Sequence, residues 1–390
     1  MLILALIGAA ALLGITGITL SNLLFFPRLR QPAEGGTAER PLVSVLVPAR
    51  NEAAVIQGTV QQLLAQSYER FELIVLDDDS EDDTANLARA AAAGDERLRI
   101  INGKPLPAEW AGKNWACHQL SRAAQGDVLL FTDADTIWSA DGLAAVANEM
   151  QRGQADLQTV WPTQITETWA ERLTVPNMAL VVMGYLPVLA THYLPLAAFG
   201  AANGQVMAFR RRAYDAIEGH AGVAGEVVED VKLARRIKGA GLRLRMADGN
   251  GFVSCRMYTD WPGVRNGLAK SLIGGYGSIF GVVLSILFHV TVFLVPPLWL
   301  LFGFAGPRES VFAVGPLALT LPMWPVWPAA LTMAGMAVRG VTAWFTRQRA
   351  RDALLMPVTV VVMTWISLLA CWWQVKYGGP MWKGRLVKAA

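Results

Sequence analysis

Cysteine is scarce: only Cys117, Cys255 and Cys371 occur in 390 residues, far apart and with no C-x-x-C pair. That gives no basis for a disulfide framework or a zinc site, and the three read as structural thiols on the reducing side of a membrane. Cys117 precedes His118, but neighbours in sequence on a helix do not face each other, so this pair reads as packing rather than nucleophile and base. Charge is scarce too. Asp, Glu, Lys and Arg make up 17% of the chain, against about 25% in a soluble domain. With 53% hydrophobic residues, part of the chain belongs in lipid. A net charge of +3 gives no footing for a nucleic-acid partner. Missing as well are a G-x-G-x-x-G turn and a P-loop.

What is present begins with apolar runs. Residues 1–26 are uncharged and almost wholly apolar, long enough for a hydrocarbon core of ~30 Å, which needs about 20 residues. The run lacks a leading Lys or Arg and is too long for a signal peptide. Arg28 and Arg30 follow it, so the positive-inside asymmetry places the next segment in the cytoplasm. The expectation is a transmembrane helix over 1–27, then a linker over 31–40 with Pro32, Gly35 and Gly36. Residues 175–200 have no Asp, Glu, Lys or Arg but contain Pro176, Pro187, Pro195 and His192. They are expected to form two short helices at the interface. A true span there would put Asn203 across the bilayer from Asp133. Further spans are expected at 278–304, 311–338 and 353–375, making 278–375 the C-terminal membrane segments and 376–390 a basic tail. The basic stretch 339–351 and the tail, with Lys376, Lys383, Arg385 and Lys388, cannot both be inside if all three cross, so one of these segments is expected to be re-entrant or interfacial. Most of the fourteen tryptophans lie in or beside apolar segments, where interfacial anchoring explains them; Trp110 and Trp115 are exceptions.

Between the runs the texture is α/β. Apolar stretches at 42–47, 71–76, 97–101 and 127–131 read as strands. Helical patterns at 52–66, 84–93 and 114–124 separate them, and such alternation implies βαβ units with a mostly parallel sheet. A short strand at 205–209, a helix at 227–238 and strands near 242–246 and 252–257 follow.

Ligands of an open α/β sheet bind outside the carboxyl ends of its strands, and acids collect there. Asp133 and Asp135 close the fourth strand as D-x-D, and two hard oxygen ligands suit Mg²⁺ or Mn²⁺ on a diphosphate. Pro48, Ala49, Arg50 and Glu52 follow the first strand, Asp77, Asp78 and Asp79 the second, and Glu229 and Asp230 open a late helix. Singly, each has a plain structural explanation as a helix cap, an Asx-turn or a first-turn acid. Together those explanations must all hold by coincidence.

In this order VSVLVPARNE, VLDDDSEDDT, FTDADT and VEDVKLARRIKGAG resemble the successive motifs of family 2 inverting glycosyltransferases, a resemblance covering residues 41–270. More locally WAGKNWACHQL, NGQVMAFRRRAY, CRMY and WKGR resemble the membrane-bound branch that includes hopanoid-associated and carotenoid glycosyltransferases. The resemblance implies a GT-A nucleotide-sugar-binding domain flanked by N-terminal and C-terminal transmembrane helices. It implies that Pro48, Ala49, Arg50 and Glu52 line a nucleotide pocket, that Asp78 or Asp79 holds the uracil or ribose, and that Lys113 contacts the donor. Asp133 would approach the sugar and ribose and join Asp135 at the metal; Asp230 would be the general base, with Glu229 its neighbour. Arg256 and Trp261 fall where many relatives carry Q-x-x-R-W, a motif this chain lacks, which argues against a processive polysaccharide synthase. His220 and the Asn203-Gly204 pair read equally as sugar contacts or as structure.

The expected activity is transfer of a hexose, glucose by preference, from a UDP-sugar to a hydroxyl of a hydrophobic lipid such as a carotenoid or hopanoid. The enzyme would be multi-pass in the plasma or inner membrane, with a cytoplasmic site and an Mg²⁺ or Mn²⁺ cofactor. Rival readings are a polyprenyl-phosphate acceptor, with Arg210, Arg211, Arg212 or Arg256 at its charge, and a non-catalytic membrane binding protein.

Overall fold

The computed structural model describes residues 2–31, 40–305, 308–314, 317–379, 381–382 and 385–386. Most of the expected 31–40 linker, Pro316, and Lys383 and Lys388 of the tail lie outside them. The chain divides into two compact units, one of residues 25–165 and 188–257, the other of 1–24, 166–187 and 258–389.

Among the described residues the first unit holds ten strands: β1 (Val43–Ala49), β2 (Phe71–Asp77), β3 (Leu98–Asn102), β4 (Val128–Thr132), β5 (Thr136–Trp138), β6 (Leu157–Trp161), β7 (Thr163–Gln164), β8 (Val206–Arg210), β9 (Leu244–Asp248) and β10 (Val253–Cys255). Seven make one sheet in the order β3-β2-β1-β4-β8-β6-β9, and β5, β10 and β7 make a small second sheet. β3, β2, β1 and β4 are mutually parallel, whereas β8 runs antiparallel to both β4 and β6. That reversal positions the site. Val206, the first residue of β8, pairs with Thr132, the last of β4, so the loop entering β8 meets the carboxyl ends of the parallel strands.

Period-2 alternation sorts the strand residues to two faces. Val43, Val45 and Val47 of β1, Leu73 and Val75 of β2 and Leu130 of β4 pack with Ile56, Val60 and Leu63 of helix Ile56–Leu64 and with helix Gly142–Arg152. Leu46, Ile74, Leu76, Leu129 and Phe131 point the other way, onto Ala116, Cys117 and Leu120 of helix Gly112–Ala123 and Leu233, Ala234 and Ile237 of helix Glu229–Gly239. Pro48 can sit in β1 because pairing with β4 ends at Leu46, where a missing N–H costs no ladder bond on that side. Gly126 is required where the chain enters β4: a Cβ there would lie 2.6 Å from the Ser44 backbone N. Outer strand β9 is covered by helix Val188–Tyr193. There Met246 N–H donates to His192 Nε2 at 2.9 Å and Arg245 donates to His192 O at 2.7 Å. Burial drives the His192 pKa down to about 3, keeping the imidazole neutral and able to accept.

The second unit is built from apolar helices. Among the described residues, three are long and apolar enough to cross a membrane: Ile3–Phe25, Ile279–Ala305 and Ala350–Tyr377. Buried Asn22 in the first donates to the carbonyls of Met183 (3.0 Å) and Leu186 (2.7 Å) at the end of helix Pro176–Tyr185, satisfying a polar group that would otherwise be costly. The second loosens into a π-turn at Val290–Leu294 just before Pro296 and Pro297, whose missing N–H groups cannot close helical bonds.

Two expectations change. The span expected over 311–338 is instead a hairpin, Glu309–Val314 paired with Leu317–Pro322, followed by helix Val326–Phe345. Pro322 and Pro325 bar a helix through this stretch, while Pro328 fits the first turn, where its lost N–H has no helical partner. The apolar segment 175–200 does form two short helices, but they divide between the units: Pro176–Tyr185 groups with the apolar helices and Val188–Tyr193 covers the sheet edge.

Candidate functional site

The site lies where β1, β2 and β4 end and β8 begins. After β1 the chain turns through Asn51, at φ 53, and after β2 through Asp79, at φ 60; Asn and Asp tolerate this left-handed region. The two turns are laced together. Asn51 N–H donates to Ser80 Oγ (3.0 Å), Glu81 N–H to Asn51 Oδ1 (2.8 Å) and Glu52 N–H to Thr84 Oγ1 (2.8 Å). Arg50 donates to Asp78 O at 2.6 Å and stands 3.9 Å from the Asp79 carboxylate. Asp78 is buried, with its N–H on Ala49 O, while the Asp79 side chain is 92% exposed. Of the two, Asp78 is the buried acid of this turn and Asp79 the exposed one.

The D-x-D turn is fixed from three sides. Asp133 N–H donates to Gln205 O, Thr136 Oγ1 donates to Asp133 O, and Thr59 Oγ1 donates to Ala134 O. Lys113, in the first turn of its helix, reaches Asp133 Oδ1 at 2.8 Å and Glu229 Oε1 at 3.2 Å. Its neighbour Asn114 holds the facing loop by donating to the carbonyls of Val223, Ala224 and Glu226. Burial alone would lower the Lys113 pKa, but the Asp133 and Glu229 carboxylates win and hold it well above the ordinary lysine range. This is a fixed ammonium.

Asp230 is one residue from Glu229 and faces the loop entering β8. Its Oδ2 accepts the Gly204 N–H at 2.9 Å and its Oδ1 accepts the Val231 N–H at 2.7 Å. Gly204 permits this approach, since a Cβ there would already lie 3.3 Å from Glu229 Oε1. Burial, with Glu229 adding to it, pushes the Asp230 carboxyl up to about 7, against the pull of its two backbone bonds and Lys113. Burial, with Asp133 and Glu52 adding, pushes Asp135 up to about 7 as well. Asp135 Oδ1 is buried with no hydrogen-bond partner.

An orphaned buried carboxylate oxygen beside a second carboxylate fits a divalent cation. No group of three or more His, Cys, Asp or Glu able to hold a metal occurs among the described residues. Two carboxylates alone match the way Mg²⁺ is held with substrate phosphates supplying further oxygens. Asp133 and Asp135 are the residues that could hold it.

The structure thus brings Arg50, Glu52, Asp78, Lys113, Asp133, Asp135, Glu229 and Asp230 to one sheet edge. Arg256 follows β10, half-buried. Trp261 belongs to the apolar-helix unit, where its ring stacks between Trp169 (5.3 Å) and Trp365 (5.6 Å). His220 is a core residue, 2% exposed, with Nδ1 2.8 Å from the Tyr214 hydroxyl; burial drives its pKa down to about 3. Trp110, Trp115 and His118 form a ring cluster with centroids 5.0–5.6 Å apart. Arg210, Arg211 and Arg212 lie at the far end of β8 from the acids, where Arg210 pairs with Val128, which removes them from any acceptor phosphate at this site. Cys117 is a core thiol, as expected. Sequence reasoning missed Asn114 as the loop anchor and Cys255, which has Asp135 and Asp133 as its charged neighbours. For Cys255 the available signal was strand alternation, which turns it away from Arg256 and inward.

Residues 44–215 match the family described as Glycosyl transferase family 2. A 4,4'-diaponeurosporenoate glycosyltransferase of Staphylococcus haemolyticus is 29% identical over 248 residues, 63% of this chain and 64% of that protein. One of Staphylococcus aureus (strain MRSA252) is 27% identical over 282 residues, 68% of this chain and 73% of that protein. The match to the first thus spans just under two thirds of that relative's length. A mannosyltransferase of Pyrobaculum calidifontis, solved in complex with GDP-Man and Mn²⁺, is similar at a TM-score of 0.57 and 18% identity, covering 95% of this chain and 99% of that one. These findings bear out the GT-A fold and the resemblance to carotenoid glycosyltransferases read from the motifs.

Proposed function

We propose that the chain, whose residues 44–215 match the family described as Glycosyl transferase family 2, is a membrane-anchored, inverting hexosyltransferase, moving a sugar (glucose by preference) from a UDP-sugar to a hydroxyl of a lipophilic acceptor. The observation that carries this reading is the pairing at one sheet edge of a cation-ready carboxylate, Asp135, with a second half-buried carboxylate, Asp230, whose pKa, pushed up to about 7, suits proton abstraction at neutral pH. The relatives named for a carotenoid acid support a lipophilic acceptor. The three helices able to cross a membrane support anchorage beside it, and Arg28 and Arg30 after the first support a cytoplasmic site in the plasma or inner membrane.

In this mechanism Arg50, Glu52 and Asp78 line the nucleotide pocket, and Asp133 and Asp135 are the residues that would hold an Mg²⁺ or Mn²⁺ ion. When bound, the ion neutralises negative charge growing on the departing UDP. Lys113, fixed between Asp133 and Glu229, adds a preorganised positive charge on the same side. Asp230 takes the proton from the acceptor hydroxyl as its oxygen attacks the anomeric carbon from the face opposite UDP. One in-line displacement forms the new glycosidic bond, breaks the sugar–phosphate bond and inverts the configuration.

Lys113 also sets the protonation of the base, since its charge lowers the Asp230 pKa. Lys113→Met is therefore expected to move the acidic limb of the pH–rate profile to higher pH and to raise the donor KM. An unmoved limb would show that Lys113 is not electrostatically coupled to the base.

The relatives' name specifies a carboxylate acceptor, which arrives already ionised and favours a second reading, ester formation on a polyene acid. Purified protein in lipid vesicles, given UDP-glucose and in turn a hydroxylated carotenoid, a carotenoid acid and a polyprenyl phosphate, separates the readings by the mass of the product. Glycosylated hydroxycarotenoid is expected. Product from the acid alone would move the acceptor class, product from polyprenyl phosphate alone would overturn the neutral-lipid reading, and none from any would leave binding without catalysis.

A further inference from the structure

Behind the two acids runs a buried polar chain that the reaction above does not use. Cys255 of β10 pairs across the ladder with Thr136 of β5, the residue after Asp135. The thiol is fully buried, and the Gln205 amide Nε2–H donates to its Sγ at 2.8 Å. Gln205 Oε1 in turn accepts from Gln164 Nε2 at 3.2 Å, and the Gln205 main-chain carbonyl accepts the Asp133 N–H. One residue, Gln205, thus grips the backbone of the first acid and the thiol that has the carboxylate of the second as its charged and hydrogen-bonding neighbour.

We infer that Cys255 is a positioning residue for Asp135: held by Gln205, its thiol closes off the inner side of the carboxylate and leaves Oδ1 turned toward the cation. The donor and acceptor roles are consistent. A sulfur that accepts from the amide keeps its own hydrogen, which it can offer to the carboxylate, and S–H is a weak donor. It orients the ligand without competing strongly with a metal for its lone pairs. Partners that orient ligating carboxylates in this way typically change metal affinity or activity by about 10–100-fold when removed.

This inference rests on the cation reading given above, and the test keeps the two apart. Mn²⁺ is titrated into the full-length protein with UDP and without acceptor, free Mn²⁺ being read by electron paramagnetic resonance and folding by thermal melting. Cys255→Ala is expected to weaken Mn²⁺ binding by about 10-fold or more with little change in melting. Cys255→Ser, which keeps an acceptor for Gln205 and a hydrogen for Asp135, is expected to restore most of the affinity. Native-like Mn²⁺ binding by Cys255→Ala, or equal weakening by both variants, would overturn the positioning role. No Mn²⁺ binding by the native protein would overturn the cation reading itself, and this inference with it.

Discussion

Asp230→Asn is expected to lower transfer to a hydroxylated acceptor by ~10²–10⁴-fold, the usual contribution of a positioned general base, while binding of UDP-sugar persists. The amide keeps an oxygen for the Gly204 or Val231 N–H but cannot take a proton. The native profile carries the same signature. Asp230 must be ionised to act, and burial with Glu229 beside it puts that ionisation at about 7, opposed by Lys113. The rate is therefore expected to fall about tenfold per pH unit below that point and to level off above it. A raised carboxyl pKa also works against stability: the folded state holds a proton that the unfolded chain releases near 3.8, so stability declines as pH rises from about 4 to 7. The uncharged variant escapes this and is expected to melt no lower than the native protein at pH 8. With a carotenoid acid as acceptor the loss should be slight, which makes this variant a probe of acceptor class as well.

Asp135→Ala is expected to abolish cation-dependent nucleotide binding and to cut transfer by about 10³-fold or more. Metal stabilisation of developing charge is worth several kcal/mol, and each ~1.4 kcal/mol is tenfold in rate. Because Asp135 buries an oxygen with no hydrogen-bond partner, its removal takes away an unsatisfied group and should not unfold the chain. Calorimetry with UDP and Mn²⁺ checks it: heat from the native protein and none from the variant is the expected pair. Metal-dependent binding of equal strength by both would place the cation elsewhere.

How much of this was legible in the sequence depended on burial pattern. β1, β2 and β4 are runs of Val, Leu and Ile buried on both faces, and they read directly as strands. β6 did not, because LQTVW interrupts its apolar run with Gln158 and Thr159. Both are fully buried, and the Thr159 hydroxyl is used up on the Asn203 backbone. The antiparallel turn of β8 was hidden for another reason: strand direction is set by pairing partners, not by composition. Yet it is this reversal that carries Gly204 to Asp230. The four acidic clusters were visible, but not which acid in each is buried: Asp78 is, while the Asp79 side chain, at φ 60, is exposed. The aromatic stack of Trp261 with Trp169 and Trp365 was not legible either, because its members are far apart in the chain.

The most direct measurement of the central claim is the anomeric configuration of the lipid glycoside made from an α-linked UDP-hexose, read from the anomeric proton coupling by NMR. A single displacement with Asp230 as base predicts the β-anomer; an α-linked product would contradict it.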